Sequence, residues 1–239
     1  MAAYYNEIDE YAAEWLRNLI KAGLIPDGEV DTRSIVDVRG DDLRGFTQCH
    51  FFAGIGGWPY SFRLAGWPDD RRGWSGSCPC QPLSSAGLQK GHIDERHLWP
   101  AFYRLIEECQ PPILFGEQVA SRLGREWLSA VRADLEASGY AVGTAIIPAC
   151  GVGAPHRRDR QWLVADAEWN EQPREEPCGG ATGRVGRQQQ RLAWDPDWQS
   201  ALARLRVVDD GLPRSVAATD AARNAIVPQV AAEFIRAVM

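Results

Sequence analysis

The chain lacks any run approaching the roughly 18 consecutive apolar residues that mark a membrane-spanning helix. It also lacks the basic start and apolar stretch of a secretory signal, because the opening MAAYYNEIDEYAAEWL carries acids early. Both absences point to a cytoplasmic globular protein with no membrane partner. An excess of basic charge is missing too: 26 Lys and Arg face 32 Asp and Glu, a formal net charge of −6. A general electrostatic binder of nucleic acid is thereby excluded, although a single basic face is not. The six cysteines (Cys49, Cys78, Cys80, Cys109, Cys150 and Cys178) form no Cys-x-x-Cys pair and have no histidine at zinc spacing. No metal is expected, and the thiols read as free. No internal repeat is visible.

What is present is ordinary soluble usage, 45% hydrophobic and 24% charged over 239 residues, which excludes global disorder and suits one domain. A chain of this size buries roughly 70–75% of its unfolded surface and needs no disulfides. Tyr4–Ile8 reads as a strand. A helix over Asp9–Ala22 follows, with Tyr11, Ala12, Trp15, Leu16, Leu19 and Ile20 on one face and Gly23 as its stop. Strand patterns recur around Val30 and over Gln48–Ala53, Trp74–Cys78, Ile113–Gly116, Ala141–Ile147 and Gln161–Ala165. Helical spacing occupies Tyr60–Leu64, Leu98–Glu108, Trp127–Ala137 and Asn224–Val238. This alternation predicts an α/β fold, a mostly parallel doubly wound sheet. From about Glu168 to Arg191 the chain turns rich in Glu, Gly, Gln and Arg, as an exposed insertion would, and order is expected again by Ala201–Leu205.

Four segments carry side chains suited to chemistry. Phe52-Ala53-Gly54-Ile55-Gly56-Gly57 is a glycine-rich turn between strand and helix, which lets backbone approach a ligand. No Gly-Lys-Ser/Thr follows, so it is not a phosphate loop, and such a turn is as often purely structural. Pro79-Cys80-Gln81-Pro82-Leu83-Ser84 places a thiol just past a strand's C-terminal end, where α/β sheets bind ligands. A buried, inert thiol is the commoner fate of a lone cysteine, and a nucleophilic one needs nearby positive charge. Gly116-Glu117-Gln118 sets an acid at another strand end, able to bind a ring nitrogen or act as general acid, or simply to start a helix. In Pro155-His156-Arg157-Arg158-Asp159-Arg160, alternating arginines point one way and could hold an anion, or form a solvated charge run.

Together and in this order, FAGIGG, PCQPLSSAG, GEQV, PHRRDR and RNAIVPQVA resemble the cytosine-5 DNA methyltransferases, in the style of compact phage and bacterial restriction–modification enzymes. The resemblance implies a Rossmann-like S-adenosylmethionine-dependent fold, methyl transfer to C5 of cytosine in double-stranded DNA, release of S-adenosylhomocysteine, and no metal. It makes Cys80, between proline and glutamine, the nucleophile at cytosine C6 in place of Cys78. Glu117 would hold and protonate N3, and Arg158 and Arg160 would position the base and the loop. Phe52, Gly54, Ile55, Gly56 and Gly57 would line the cofactor pocket, with Asn224 and Ile226 closing it. Gln81, Ser84, Arg184 and Arg187 would touch the DNA, whose target base leaves the duplex.

The chain departs from the family's order. Only 18 residues, Trp58 to Ser75, separate Gly57 from Gly76, too few for the two strand units that usually follow the glycine loop. Tyr4–Ala12 resembles the first of them, and Gly28-Glu29-Val30-Asp31 the second, so the order reads as shuffled. Thr32–Phe46 then supplies the dozen or so residues that a parallel crossover requires. Glu7 and Ile8 are thereby assigned to the cofactor's ribose side and Asp31 to its adenine. Gln118, His156 and Arg223 stand where the family has Asn, Gln and Gly. Residues 1–167 and 217–239 form the expected catalytic domain. The reduced recognition region at 168–216 predicts short or relaxed specificity, with Arg184, Arg187 and Arg191 on phosphate. A cytosine-5 RNA methyltransferase, a silent regulator of a partner enzyme and a thymidylate-synthase-like nucleotide enzyme are the rivals. A homodimer, or a partner supplying DNA contacts, is left open.

Overall fold

The computed structural model describes residues 2–79, 98–154, 156–168 and 225–239. Seven strands form one sheet in the order β2-β1-β3-β4-β5-β7-β6: β1 Ala3–Asn6, β2 Gly28–Asp31, β3 Gln48–Phe51, β4 Gly73–Gly76, β5 Ile113–Val119, β6 Ala141–Pro148 and β7 Asp159–Asp166. The first five run parallel; β7 lies antiparallel between β5 and β6. This is the mostly parallel, Rossmann-like arrangement expected. The glycine-turn strand β3 sits between β4 and β1, and β1 carries β2 outside it. The two N-terminal strands therefore extend the sheet directly beside the glycine-turn strand.

Helices cover both faces because successive strand side chains alternate. On one face Tyr4, Phe51, Trp74, Leu114, Leu163 and Ala165 pack with Phe102, Leu105 and Ile106 of α3 (Leu98–Cys109) and Leu128, Val131 and Leu135 of α4 (Arg122–Ala137). On the other, Phe115, Trp162 and Val164 meet Trp58 and Phe62 of α2 (Gly57–Ala65) and Val230, Phe234 and Ile235 of α5 (Pro228–Arg236). Beside these, Ala3 and Tyr5 pack against Leu16 of α1 (Glu10–Lys21).

Several boundaries differ from expectation for local reasons. Asp9 caps α1, accepting from the Ala12 N–H at 2.8 Å, as its sequence position suggests. The buried stripe is Ala12, Ala13 and Leu16, whereas Tyr11 and Trp15, expected on it, are 58% and 45% exposed. Helix α4 begins five residues ahead of Trp127, because the Ser121 hydroxyl accepts from the Gly124 N–H at 3.0 Å. Strand β5 runs on to Val119 because antiparallel β7 pairs with it that far, Val119 lying opposite Arg160. No helix among the described residues is long and apolar enough to cross a membrane. The Ala201–Leu205 segment, and the 168–216 region apart from Glu168, lie outside the described residues.

Candidate active site at the carboxyl edge of the sheet

The site begins where β3 ends. Phe52 at φ 51°, Gly54 at 53° and Gly56 at 84° turn the chain sharply before α2 starts. A side chain on Gly56 would meet Leu19 Cδ1 at 2.8 Å, and one on Gly57 would meet Ile226 Cγ1 at 2.7 Å. At Gly56 and Gly57 the loop therefore leaves no room for a side chain, whereas Gly54 is required by its positive φ alone. Phe52, a rare non-glycine residue at positive φ, is held by an edge-on contact with Phe102 at 5.9 Å between centroids.

Glu7, 47 residues from Gly54 in sequence, reaches this turn from the end of β1. Its Oε2 accepts from the Gly54 N–H at 2.6 Å and its Oε1 from the Asp9 N–H at 2.9 Å. Next to it in sequence Ile8 is 67% exposed. Glu7 and the glycine turn thus come together. Asp31 is placed differently. Its buried carboxylate accepts from Tyr4 Oη at 2.6 Å and from Arg33 Nη2 at 2.7 Å, with the Arg33 backbone N–H and Nε adding further bonds. Burial works against its charge, yet Arg33 and Tyr4 hold the carboxyl below the usual carboxylate range. A carboxylate has about four lone-pair sites, and these donors fill them, leaving no acceptor for an adenine amino group.

Two strands away, β5 and β7 build an acid–base pair. Glu117 lies opposite Trp162 and Arg160 opposite Val119, so Glu117 and Arg160 are diagonal neighbours on one face. Arg160 Nε sits 2.8 Å from Glu117 Oε1, with the two side chains 20% and 9% exposed. Burial pushes the Glu117 carboxyl up to about 7, and the charges of Arg160 and Arg158 keep it from rising further. Arg158, at φ 38°, donates from Nη2 to the Ala225 carbonyl at 2.8 Å and so fastens the C-terminal segment to the site. That segment delivers Ile226 against Gly57. Between them lies an apolar cavity of about 410 Å³, walled by Ile55, Gly56, Tyr60, Ile226 and Trp15, with His156 and Arg158 at its polar side.

Cys80, Gln81, Ser84, Arg184, Arg187, Arg191 and Asn224 lie outside the described residues. The chain leading to Cys80 is nonetheless well anchored. Trp58 Nε1 donates to Ser77 Oγ at 3.0 Å, and Gln118 Nε2 donates to the Cys78 carbonyl at 3.2 Å. Cys78 itself is 5% exposed, and burial pushes its thiol far above the ordinary range, so it stays protonated and inert. Sequence reasoning missed these anchors. Trp58 sits at helical spacing for the core, and its indole N–H gives no sign of a tether. Gln118 drew notice only as a departure from asparagine.

Residues 67–179 match the family model of the C-5 cytosine-specific DNA methylases. Over that stretch the chain is similar to the cytosine-5 DNA methylases. Among relatives, it is 40% identical over 98 residues to the type II methyltransferase M.AplI of Arthrospira platensis, covering 40% of this chain and 28% of that one. It is 35% identical over 94 residues to the type II methyltransferase M.NlaX of Neisseria lactamica, covering 38% and 30%. The chain thus spans less than a third of the length of these relatives. A solved structure of a prophage-encoded DNA modification methyltransferase described as putative, from E. coli, covers 69% of this chain and 39% of its own at 19% identity and a TM-score of 0.45. The family match spans Glu117, Arg158 and Arg160, and also the stretch that carries Cys80. Among the described residues no cluster could hold a metal ion, and Cys49, Cys78, Cys109 and Cys150 are free thiols.

Proposed function

We propose that this chain transfers a methyl group from S-adenosylmethionine to C5 of cytosine in double-stranded DNA. The observation that carries the reading is the half-buried Glu117–Arg160 pair, standing at the same sheet edge as the glycine turn in a chain whose residues 67–179 match the cytosine-5 methylases. The residues present fit the cofactor. Gly56 and Gly57 allow close backbone approach, the Glu7 carboxylate stands at the turn, and Ile55 and Ile226 offer apolar wall. When bound there, S-adenosylmethionine supplies an electrophilic methyl group on a sulfonium. Asp31 is assigned to holding the end of β2, through Tyr4 and Arg33.

In this reading the target cytosine leaves the duplex, at a cost of a few kcal/mol returned by pocket contacts. Glu117, held near neutrality by burial, keeps a proton to place on N3 and makes C6 electrophilic. Arg160 fixes the carboxyl's orientation, and Arg158 ties the C-terminal segment to the pocket. The Cys80 thiolate adds to C6, raising electron density at C5, which takes the methyl group. Loss of the C5 proton then expels Cys80 by β-elimination and restores the aromatic ring. Gln118 and Trp58, through Cys78 and Ser77, aim the segment that carries the nucleophile. Incubation with methyl-labelled S-adenosylmethionine and unmethylated duplex tests the proposal. Label on cytosine C5 is expected, and label confined to RNA, or none with cofactor bound, counts against it.

A further inference from the structure

We infer a second ligand site, for the phosphate of a small nucleotide, at the sheet edge opposite the glycine turn. A cavity of about 890 Å³ opens there beneath the start of β3 and β4. One wall is Arg39–Thr47, from the connection between β2 and β3 that the shuffled strand order requires; the other is the end of α3. Four arginines line it: Arg39, Arg44, Arg72 and Arg104. Two of them have acidic neighbours, Arg44 with Asp41 at 2.8 Å and Arg104 with Glu108 at 3.3 Å. Arg39 and Arg72 form no ion pair with another described residue, so the cavity holds an excess of positive charge in a chain of net charge −6.

A guanidinium matches phosphate geometry through paired donors and also stacks on planar rings. The half-buried ring of Phe46 adds aromatic surface to the same cavity, which suits a base attached to the phosphate. Its volume falls within the roughly 300–1,000 Å³ of small-molecule pockets. A four-residue strand spans about 13 Å, so a duplex engaged at the glycine-turn edge would lie across the sheet from these arginines. A nucleotide fits this placement better than the substrate's own backbone does. The site stands independently of the methyl-transfer proposal.

Calorimetric titration of the full chain with ATP, adenosine, inorganic phosphate and a short DNA duplex tests it. Arg39→Glu/Arg72→Glu and the milder Arg39→Gln/Arg72→Gln serve as variants, with circular dichroism confirming that both fold. The expected result is saturable ATP binding, much weaker adenosine binding, and a loss of ATP affinity of about tenfold or more in both variants. ATP affinity unchanged in both folded variants overturns the proposal. So does duplex binding through these arginines with no binding of ATP.

Discussion

Replacing Glu117 by glutamine removes one titration from the reaction and should change the shape of its pH profile. In the free protein the pH dependence of kcat/KM reports the groups that must be correctly protonated. Two are required in the proposed mechanism: Glu117 protonated, and Cys80 as thiolate. Burial places Glu117 at about 7. An ordinary cysteine thiol lies near about 8.5. Below pH 7 the thiolate fraction rises about tenfold per unit while Glu117 stays protonated, so kcat/KM climbs. Between about 7 and 8.5 the two changes cancel and the profile is flat; above that it falls. In Glu117→Gln the carboxyl titration is gone. The rate should drop by roughly 100- to 10,000-fold, the usual worth of a general acid, and keep climbing up to about pH 8.5. Initial rates of labelled methyl transfer from pH 6 to 9 read both curves. Parallel profiles, with the variant retaining most of its activity, would refute the role given to Glu117.

Other outcomes follow from the same geometry. Glu7→Ala removes the acceptor of the Gly54 N–H and should weaken S-adenosylmethionine binding by about tenfold, measured by calorimetry; unchanged affinity would sink the ribose-side assignment. Gly57→Ala puts a methyl into Ile226 Cγ1 and should lower stability by about 1–3 kcal/mol in urea unfolding, with Ile226→Ala, which removes that carbon, making the Gly57→Ala change cost less; simple additivity would count against that contact. Tyr4→Phe deprives the buried Asp31 carboxylate of a donor and should cost about 1.5–3 kcal/mol at pH 7. Because burial raises Glu117 from 4.5 to about 7, the folded chain holds that proton more tightly than the unfolded one. Its contribution to stability should therefore fall as pH rises between those values, a slope absent from Glu117→Gln.

Much of the fold was legible in the sequence because period and punctuation agreed. Apolar runs ending in glycine or proline marked the strands, and the sheet places β1 and β2 beside the glycine-turn strand, as the reading of a shuffled order expects. The family resemblance assigns Glu7 to the cofactor's ribose side, but the hydrogen bond that ties it to Gly54 has no signal in the sequence. The failures share a cause. Helical spacing identifies an apolar stripe but not which part of it meets the sheet, so Tyr11 and Trp15 were placed inward and lie outward. The length of β5 depended on pairing with β7, a strand remote in sequence, and the setting of Asp31 on Tyr4, 27 residues back, as well as on its near neighbour Arg33. Ser121, by contrast, was a readable cap that helical spacing alone passed over.

Cys80 decides the central claim, since every proposed step turns on a nucleophile two residues beyond the buried Cys78. The most direct measurement is transfer of labelled methyl from S-adenosylmethionine to unmethylated duplex DNA, wild type beside Cys80→Ser and Cys78→Ser, with bisulfite sequencing of the product. Cytosine-5 methylation that vanishes in Cys80→Ser, persists in Cys78→Ser and leaves cofactor binding intact in both is the expected result. Methylation that survives Cys80→Ser, or a wild type that binds cofactor and methylates no cytosine in DNA, would contradict it.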